Sequence, residues 1–174
     1  MKDLKSCIRS IPDFPKPGII FRDITTLIQD PDGFKTSIDL MEEALKGVDF
    51  DYIVAMEARG FVFGAPLSYK LGKGLVLARK KGKLPYKTIE TTYDLEYGSA
   101  TLELHEDALK KGDRVVLIDD LLATGGTLKA LATLVESTGA EVEKVLCVIE
   151  LPALCGREKL KEYSIDTFVS FDGE

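Results

Sequence analysis

The sequence has few of the residues from which metal and disulfide sites are built. One histidine and three cysteines occur among 174 residues, so a histidine-rich metal site is excluded. Cys7, Cys147 and Cys155 are an odd, widely spaced set without a CxxC pair, and we expect buried free thiols. His105 stands where an alternating strand pattern ends, and we expect it at the surface.

Long apolar runs and an excess of positive charge are also absent. No run approaches the roughly 18 residues of a membrane span, and the start, MKDLKSCIRSIPDF, lacks the apolar region of a secretory signal. The net charge of −6 makes the surface as a whole repel nucleic acid. With 45% apolar and 30% charged residues, the composition is that of a globular domain. We expect a soluble, cytoplasmic protein with residues 1–174 in one domain, and no membrane or nucleic-acid partner.

Helix and strand patterns alternate along most of the chain. The segment KDLKSCIRSI predicts a short helix, and the proline-rich PDFPKPGIIFRDITTLIQ predicts an extended path. DPDGFKTSIDLMEEALKG predicts a helix with Asp30 as N-cap and Pro31 in the first turn. Later helices are predicted at FVFGAPLSYKLG, TLKALATLVESTG and GREKLKEY, and strands at YIVAM, GLVLAR, SATLEL, RVVLID, EVEKVLCVIEL and DTFVSF.

This alternation predicts an α/β fold with a parallel central sheet flanked by helices. Ligands of such sheets bind beyond the carboxyl ends of the strands. Three segments are expected to meet there, namely EARG, the basic run ARKKGKLPYK, and DDLLATGGT.

The segment RVVLIDDLLATGGT places two carboxylates directly before a small-residue turn. Gly125 and Gly126 let the backbone approach a ligand at a helix start, where free N–H groups favour a phosphate. The turn is neither a Walker A loop nor a GxGxxG loop. Asp119 and Asp120 would repel a phosphate that they faced, so they are useful only if ligand hydroxyls lie between. A ribose 5-phosphate meets both demands; a structural turn with one capping aspartate is the alternative.

The basic run carries five cations and no acid, which in an acidic chain, beside a phosphate site, indicates a pyrophosphate clamp. The alternative is a solvated loop. The cations of the basic run are Arg79, Lys80, Lys81, Lys83 and Lys87. Arg59, in EARGF, is a second candidate for binding the pyrophosphate. A ligand with a 5-phosphate, two hydroxyls and a pyrophosphate is phosphoribosyl pyrophosphate.

These motifs resemble a known family. VVLIDDLLATGGT is similar to the phosphoribosyl-pyrophosphate signature of type I phosphoribosyltransferases, and FPKPGIIFRDIT, EARGFVFG, RKKGKLP and YDLEYGSATLELHEDAL resemble its adenine-using members. The resemblance implies that family's fold, with a small N-terminal hood in about residues 1–30 and a mobile catalytic loop in about residues 83–98. It also implies a pentosyl transfer in purine salvage, in which adenine and phosphoribosyl pyrophosphate give AMP and pyrophosphate with Mg²⁺.

The resemblance implies roles at the sugar and the pyrophosphate. Asp119 and Asp120 match the acids that bind the ribose hydroxyls. The loop that binds the 5′-phosphate is matched by Ala123, Thr124, Gly125, Gly126 and Thr127. Arg59 matches the arginine of the pyrophosphate turn and is a catalytic candidate. Mg²⁺ is expected to be held mainly by ligand oxygens and water, without a protein ligand.

The basic run has an implied role across a subunit boundary. Arg79 and Lys83 match residues that, in the family, reach the pyrophosphate in the neighbouring subunit's site. Lys80 matches one on the chain's own side. The resemblance thus implies a homodimer.

At the base, Phe21 and Leu121 match the pair that sandwiches adenine, and Phe21 offers a stacking surface. The backbone of Ile20 and Arg22 matches positions that recognise the base edge, where hypoxanthine or guanine would leave polar groups unpaired. Glu96 matches a loop glutamate near the purine imidazole, for proton handling or positioning. The stretch around it would close as a lid that excludes water.

Other functions remain open from the residues alone. A non-catalytic regulator that senses phosphoribosyl pyrophosphate or a purine would keep the Asp119 loop but need not keep Glu96 or the basic run. A transferase for xanthine, hypoxanthine or orotate would share the sugar site and differ at FPKPGIIFRDIT. A generic nucleotide-binding domain is disfavoured by the missing Walker A and GxGxxG loops.

Overall fold

The computed structural model describes residues 2–94 and 98–173. In chain order the strands and helices are β1 (Arg9–Ile11), β2 (Phe21–Asp23), α1 (Thr25–Gln29), α2 (Pro31–Ala44), β3 (Tyr52–Met56), α3 (Arg59–Leu71), β4 (Gly74–Lys80), β5 (Thr88–Asp94), β6 (Ser99–His105), β7 (Arg114–Leu122), α4 (Gly126–Glu136), β8 (Glu141–Glu150) and β9 (Ile165–Ser170). Short 3₁₀ helices cover Lys5–Cys7, Pro152–Leu154 and Gly156–Leu160.

Seven strands form one sheet in the order β5-β6-β4-β3-β7-β8-β9. Five neighbouring strands pair in parallel, in the order β4-β3-β7-β8-β9. Strands β5 and β6 join one edge of this sheet as an antiparallel hairpin. Strands β1 and β2 form a separate two-stranded sheet in the N-terminal segment, and this sheet is called the hood below. The predicted α/β fold with a mostly parallel central sheet is therefore confirmed.

Strand β7 lies at the centre of two hydrophobic cores. Val115 and Leu117 point to the face covered by α4, while Val116 and Ile118 point to the face covered by α1, α2 and α3. All four side chains are completely buried. This explains why the strand is continuously apolar up to its carboxyl end.

The helix signals in the sequence act where they were expected. The Asp30 carboxylate caps α2 by accepting hydrogen bonds from the backbone N–H groups of Asp32 and Gly33. Helix α3 ends where Gly72 adopts a left-handed φ of 63°. Its first residue, Arg59, follows the last residue of β3 by three positions and so lies at the carboxyl edge of the sheet.

Several expectations differ from the structure. The N-terminal helix is only one 3₁₀ turn, Lys5–Cys7, and the proline-rich segment contains helix α1. Strand β5 was not predicted, although it lies within the proposed loop 83–98. It forms because β6 supplies hydrogen-bond partners along its whole length. The mobility of residues 83–98 stays a prediction.

The cysteines and the histidine also differ in part. Only Cys147 is buried; Cys7 is half-buried and Cys155 is exposed, and all three are free thiols. His105 is half-buried, and its Nε2 has no hydrogen-bond partner in the described part of the chain. Among the described residues, no helix has the length and apolar character needed to cross a membrane.

Substituting Gly64 tests how closely α3 packs on the sheet. A Cβ at this position would lie 2.8 Å from the Ala55 Cβ, which cannot move aside. We expect Gly64→Ala to lower the free energy of unfolding by about 1–3 kcal/mol through overpacking. Urea unfolding measures this, with Ala65→Ser on the exposed side of the same helix as control. Since alanine is the better helix former, a stabilised Gly64→Ala protein would show that space exists there.

Candidate active site

A cavity of about 450 Å³ opens at the carboxyl edge of the sheet. The ends of β3 and β7 and the start of α3 form its floor, and the hairpin of β5 and β6 forms one wall. Its lining residues are Met56, Glu57, Ala58, Arg59, Lys80, Lys83, Tyr93, Ala100, Asp119, Asp120 and Thr127. The edge is the one at which α/β proteins bind ligands.

Two adjacent buried carboxylates lie at the end of β7. Asp119 and Asp120 are only 9% and 6% exposed. An Asp119 oxygen accepts a hydrogen bond of 2.8 Å from the Asp120 backbone N–H, and Asp120 forms an ion pair with Arg59. Burial first, and then the neighbouring charge of Asp120, raise the pKa of Asp119 well above its usual value. Hydroxyl donors from a ligand would favour its ionised form.

Gly60 allows Arg59 to approach the carboxylates. A Cβ at Gly60 would lie 2.7 Å from the Ile118 carbonyl oxygen and 3.3 Å from the Asp119 Cα. Only glycine therefore lets α3 begin against the end of β7, which brings the Arg59 guanidinium to Asp120.

The small-residue turn lies beside this cavity. Gly125 adopts a left-handed φ of 75° as the N-cap of α4, and the turn surrounds a second cavity of about 70 Å³. Its lining residues are Asp119, Leu121, Ala123, Thr124, Gly125, Gly126, Thr127 and Leu128. Asp119 and Thr127 line both cavities, so the two are adjoining. The structure thus brings the predicted carboxylates and the predicted phosphate loop together.

Gly156 packs against the backbone of the small-residue turn, and the sequence did not predict this role. A Cβ on Gly156 would lie 2.2 Å from the Ala123 carbonyl oxygen, and one on Gly125 would lie 2.5 Å from the Gly156 carbonyl oxygen. The next residue, Arg157, donates two hydrogen bonds of 2.7 Å to the Glu150 carboxylate. That pair fixes Gly156 against the turn. GREKLKEY carries no local signal for this contact, because the partner lies about 30 residues earlier in the sequence.

Glu57 is the second residue that the sequence analysis missed. It follows β3 directly, and its carboxylate accepts hydrogen bonds from Lys83, Arg79 and the Lys80 backbone N–H. Burial alone would raise the pKa of Glu57, but these donors lower it to about 2. The carboxylate is therefore ionised at neutral pH.

The basic run divides between the cavity and the surface. Lys80 and Lys83 line this chain's own cavity. Arg79 binds Glu57 and also donates to the Lys83 carbonyl oxygen at 3.2 Å. Lys81 instead forms an exposed ion pair with a glutamate of β5, and Lys87 forms one with the glutamate that directly follows β6.

The residues predicted to bind a base do not all line one cavity. Ile20 and Arg22 line a third cavity of about 360 Å³ between the hood and the central sheet. Its other lining residues are Ile19, Thr124, Leu151, Ala153, Leu154, Phe171 and Gly173. Thr124 connects it to the phosphate loop. Phe21 is not among the lining residues, and its ring packs edge-on against Phe14 with centroids 5.2 Å apart.

Leu121, the other half of the predicted sandwich, lines the phosphate-loop cavity instead. The Arg22 guanidinium lies over the Phe171 ring, with 4.2 Å to the centroid. It donates to the Ser10 hydroxyl and the Gly173 carbonyl. Leu151 and Phe171 were not predicted, because their strand patterns identify core residues and not which of them border a cleft.

The hairpin contacts the phosphate loop through Tyr93. Its hydroxyl lies 3.3 Å from the Thr127 hydroxyl. The predicted catalytic glutamate, Glu96, lies outside the described residues.

Known proteins share this architecture. A family model for the phosphoribosyl transferase domain matches residues 25–173. The adenine phosphoribosyltransferase of Agathobacter rectalis is 56% identical over 174 residues, which cover all of both chains. The chain belongs to the adenine phosphoribosyltransferase family.

Solved structures of this family match the described fold. The adenine phosphoribosyltransferase of Thermoanaerobacter pseudethanolicus has a TM-score of 0.94 at 53% identity, covering 97% of this chain and 98% of that chain. The Saccharomyces cerevisiae adenine phosphoribosyltransferase, complexed with adenine and an imino-altritol bisphosphate, has a TM-score of 0.89 at 40% identity. It covers 95% of this chain and 96% of that chain.

The contact between Gly156 and the phosphate loop of this phosphoribosyltransferase can be tested. A methyl group on Gly156 would push the Ala123 carbonyl away, so we expect Gly156→Ala to raise KM for phosphoribosyl pyrophosphate about tenfold or more. KM for adenine should change less. Gly47→Ala is the control, since a Cβ at Gly47 would meet open space, so that only the left-handed φ of 78° opposes the substitution there. An unchanged KM in folded Gly156→Ala protein would contradict the assigned support.

Proposed function

We infer that the chain transfers the 5-phosphoribosyl group of phosphoribosyl pyrophosphate to adenine, releasing AMP and pyrophosphate. One observation carries the inference. Two buried carboxylates directly adjoin a small-residue turn at a helix start, and a cavity that contains the cations Arg59, Lys80 and Lys83 adjoins both. The relatives' names and full-length identity support the same pentosyl transfer in purine salvage.

The sugar phosphate would span the two adjoining cavities. Its 5′-phosphate would accept hydrogen bonds from the N–H groups at the start of α4 and from the Thr124 and Thr127 hydroxyls. Its 2′- and 3′-hydroxyls would donate to Asp119 and Asp120. Because these carboxylates are buried, each such bond contributes roughly 1.5–3 kcal/mol.

Displacement at C1 of the ribose would proceed through an oxocarbenium-like state. Negative charge then grows on the departing pyrophosphate, and cations already fixed near it stabilise that charge. Arg59 and Lys80, which line the larger cavity, fit this role. Arg59 would exchange its bond to Asp120 for a pyrophosphate oxygen.

Adenine would enter the cleft between the hood and the sheet. Ile20, Leu151 and Phe171 offer apolar faces for the ring. The backbone of Ile20 and Arg22 could match one donor and one acceptor on the base edge. Phe21 and Leu121 do not line this cleft, and would sandwich the ring only if the hood moved toward the phosphate loop.

Mg²⁺ fits the chemistry of the cavity as an ion that arrives with its substrate. The described residues contain no cluster of three ligating side chains, but carboxylates on the cavity wall can accept hydrogen bonds from water around the ion. Bound in this way it would neutralise charge on the pyrophosphate, with oxygen atoms of that group and water as ligands.

The proposal includes a homodimer and a role for Glu96 at the base. Arg79 and Lys83 would leave Glu57 to reach pyrophosphate, in this chain's cavity or in a neighbouring subunit's. Glu96 would lie near the purine imidazole and either carry its proton or hold the base. The contact between Tyr93 and Thr127 links the hairpin to the phosphate loop and supports closure over the site.

A reaction panel tests the function. Purified protein, phosphoribosyl pyrophosphate and Mg²⁺ are mixed separately with adenine, hypoxanthine, guanine, xanthine and orotate, and products are separated by chromatography. We expect AMP from adenine alone, and a fall in kcat/KM of about tenfold or more in Asp120→Asn. Glu90→Gln, an exposed carboxylate of β5, is the matched control.

Other results of the panel identify other functions. Product from another base would retain the sugar site and contradict the assigned base cleft. No product from any base, with phosphoribosyl pyrophosphate still bound, would identify a sensor.

A further inference from the structure

Glu57 is a carboxylate that lies among the cations of the larger cavity. Its side chain is 9% exposed, and it lines the same cavity as Arg59, Lys80 and Lys83. An anion here repels a pyrophosphate and weakens its binding. Neither the transfer reaction nor the sugar site requires it, so its presence needs a separate explanation.

Both oxygens of Glu57 are occupied by the cations that pyrophosphate would use. Oε1 accepts from the Lys83 ammonium at 2.9 Å and from Arg79 Nη2 at 3.4 Å. Oε2 accepts from the Lys80 backbone N–H at 3.0 Å and from Arg79 Nε at 3.3 Å. The donors hold the pKa of Glu57 near 2, so the competing charge is present throughout the neutral pH range.

The charged side chains of the cavity are consequently paired with one another to a large extent. Arg59 is paired with Asp120, and Lys83 is paired with Glu57. An arriving pyrophosphate must take these cations from protein carboxylates. When it departs, each cation has a carboxylate to return to, which avoids leaving a partly buried charge without a partner.

We propose that Glu57 is a positioning residue that competes with pyrophosphate for Lys83 and Arg79 and thereby promotes release of this product. The proposal rests on the proposed function, because it takes pyrophosphate as the product. It holds whether the two cations serve this chain's cavity or a neighbouring subunit's, since they must leave Glu57 in either case. A purely structural Glu57 would have the opposite effect on affinity, because losing it would misplace the cations and weaken binding.

Glu57→Gln separates these roles. The amide keeps the side chain's size and its acceptor for the Lys80 N–H, and removes only the competing charge. We expect titration calorimetry with inorganic pyrophosphate and excess Mg²⁺ to give a Kd about tenfold lower than that of the wild type. In turnover, kcat and KM for phosphoribosyl pyrophosphate should both fall as pyrophosphate release slows.

Further variants serve as controls. Glu90→Gln removes an equal charge from the exposed partner of Lys81 in the same basic run, and should leave the Kd within about twofold. In a Lys83→Gln background, the gain from Glu57→Gln should shrink, because one of the contested cations is gone. If Glu57→Gln does not fold, Glu57→Asp should change the Kd in the same direction by a smaller factor, since the shorter side chain withdraws from Lys83.

The outcomes are distinguishable. Unchanged or weaker pyrophosphate binding by folded Glu57→Gln, with tight binding by the wild type, overturns the competition and leaves the proposed function intact. Absence of pyrophosphate binding by the wild type itself overturns both.

Discussion

The structure depends on burying two adjacent carboxylates near the carboxyl end of a central strand. Asp119 and Asp120 lie in β7 directly after four apolar residues that the two hydrophobic cores enclose. Burial makes the ionised forms costly unless donors surround them. The Asp120 N–H and Arg59 supply some of these donors, and the hydroxyls of a ribose would supply the others. A deeply buried strand thus also carries two carboxylates that need polar partners.

Close backbone contacts keep the rest of the site aligned with these carboxylates. Gly60 lets α3 begin against the end of β7, and Gly125 and Gly156 let two loop segments touch beneath the phosphate turn. In the cavity itself, carboxylates and cations are paired with one another. Under the proposed function, substrate binding would be an exchange of partners, in which hydroxyls replace cations at the carboxylates and phosphate oxygens replace carboxylates at the cations.

The sequence predicted those features that depend on interactions between neighbouring residues. The Asp30 cap, the Gly72 helix end and the order of acids and glycines in DDLLATGGT depend on neighbouring residues, and the structure has each where it was expected. Gly156 and Glu57 were missed because their partners are distant in sequence. Strand β5 was missed because TIETTYD has only two apolar residues, Ile89 and Tyr93, and becomes a strand through pairing with β6. The base cleft was predicted only in part, since its walls come from the hood, the end of β8 and the chain after β9.

The central claim is that the carboxylates and the phosphate turn hold two parts of one sugar. Titration calorimetry with ribose 5-phosphate and 2-deoxyribose 5-phosphate tests it most directly, because the two ligands share the phosphate and differ in one hydroxyl. We expect ribose 5-phosphate to bind about tenfold or more tightly, because the deoxy sugar lacks a hydrogen bond to a charged group. Equal affinities would show that the carboxylates do not bind the 2-hydroxyl, and the two motifs would then not hold one sugar in the way described.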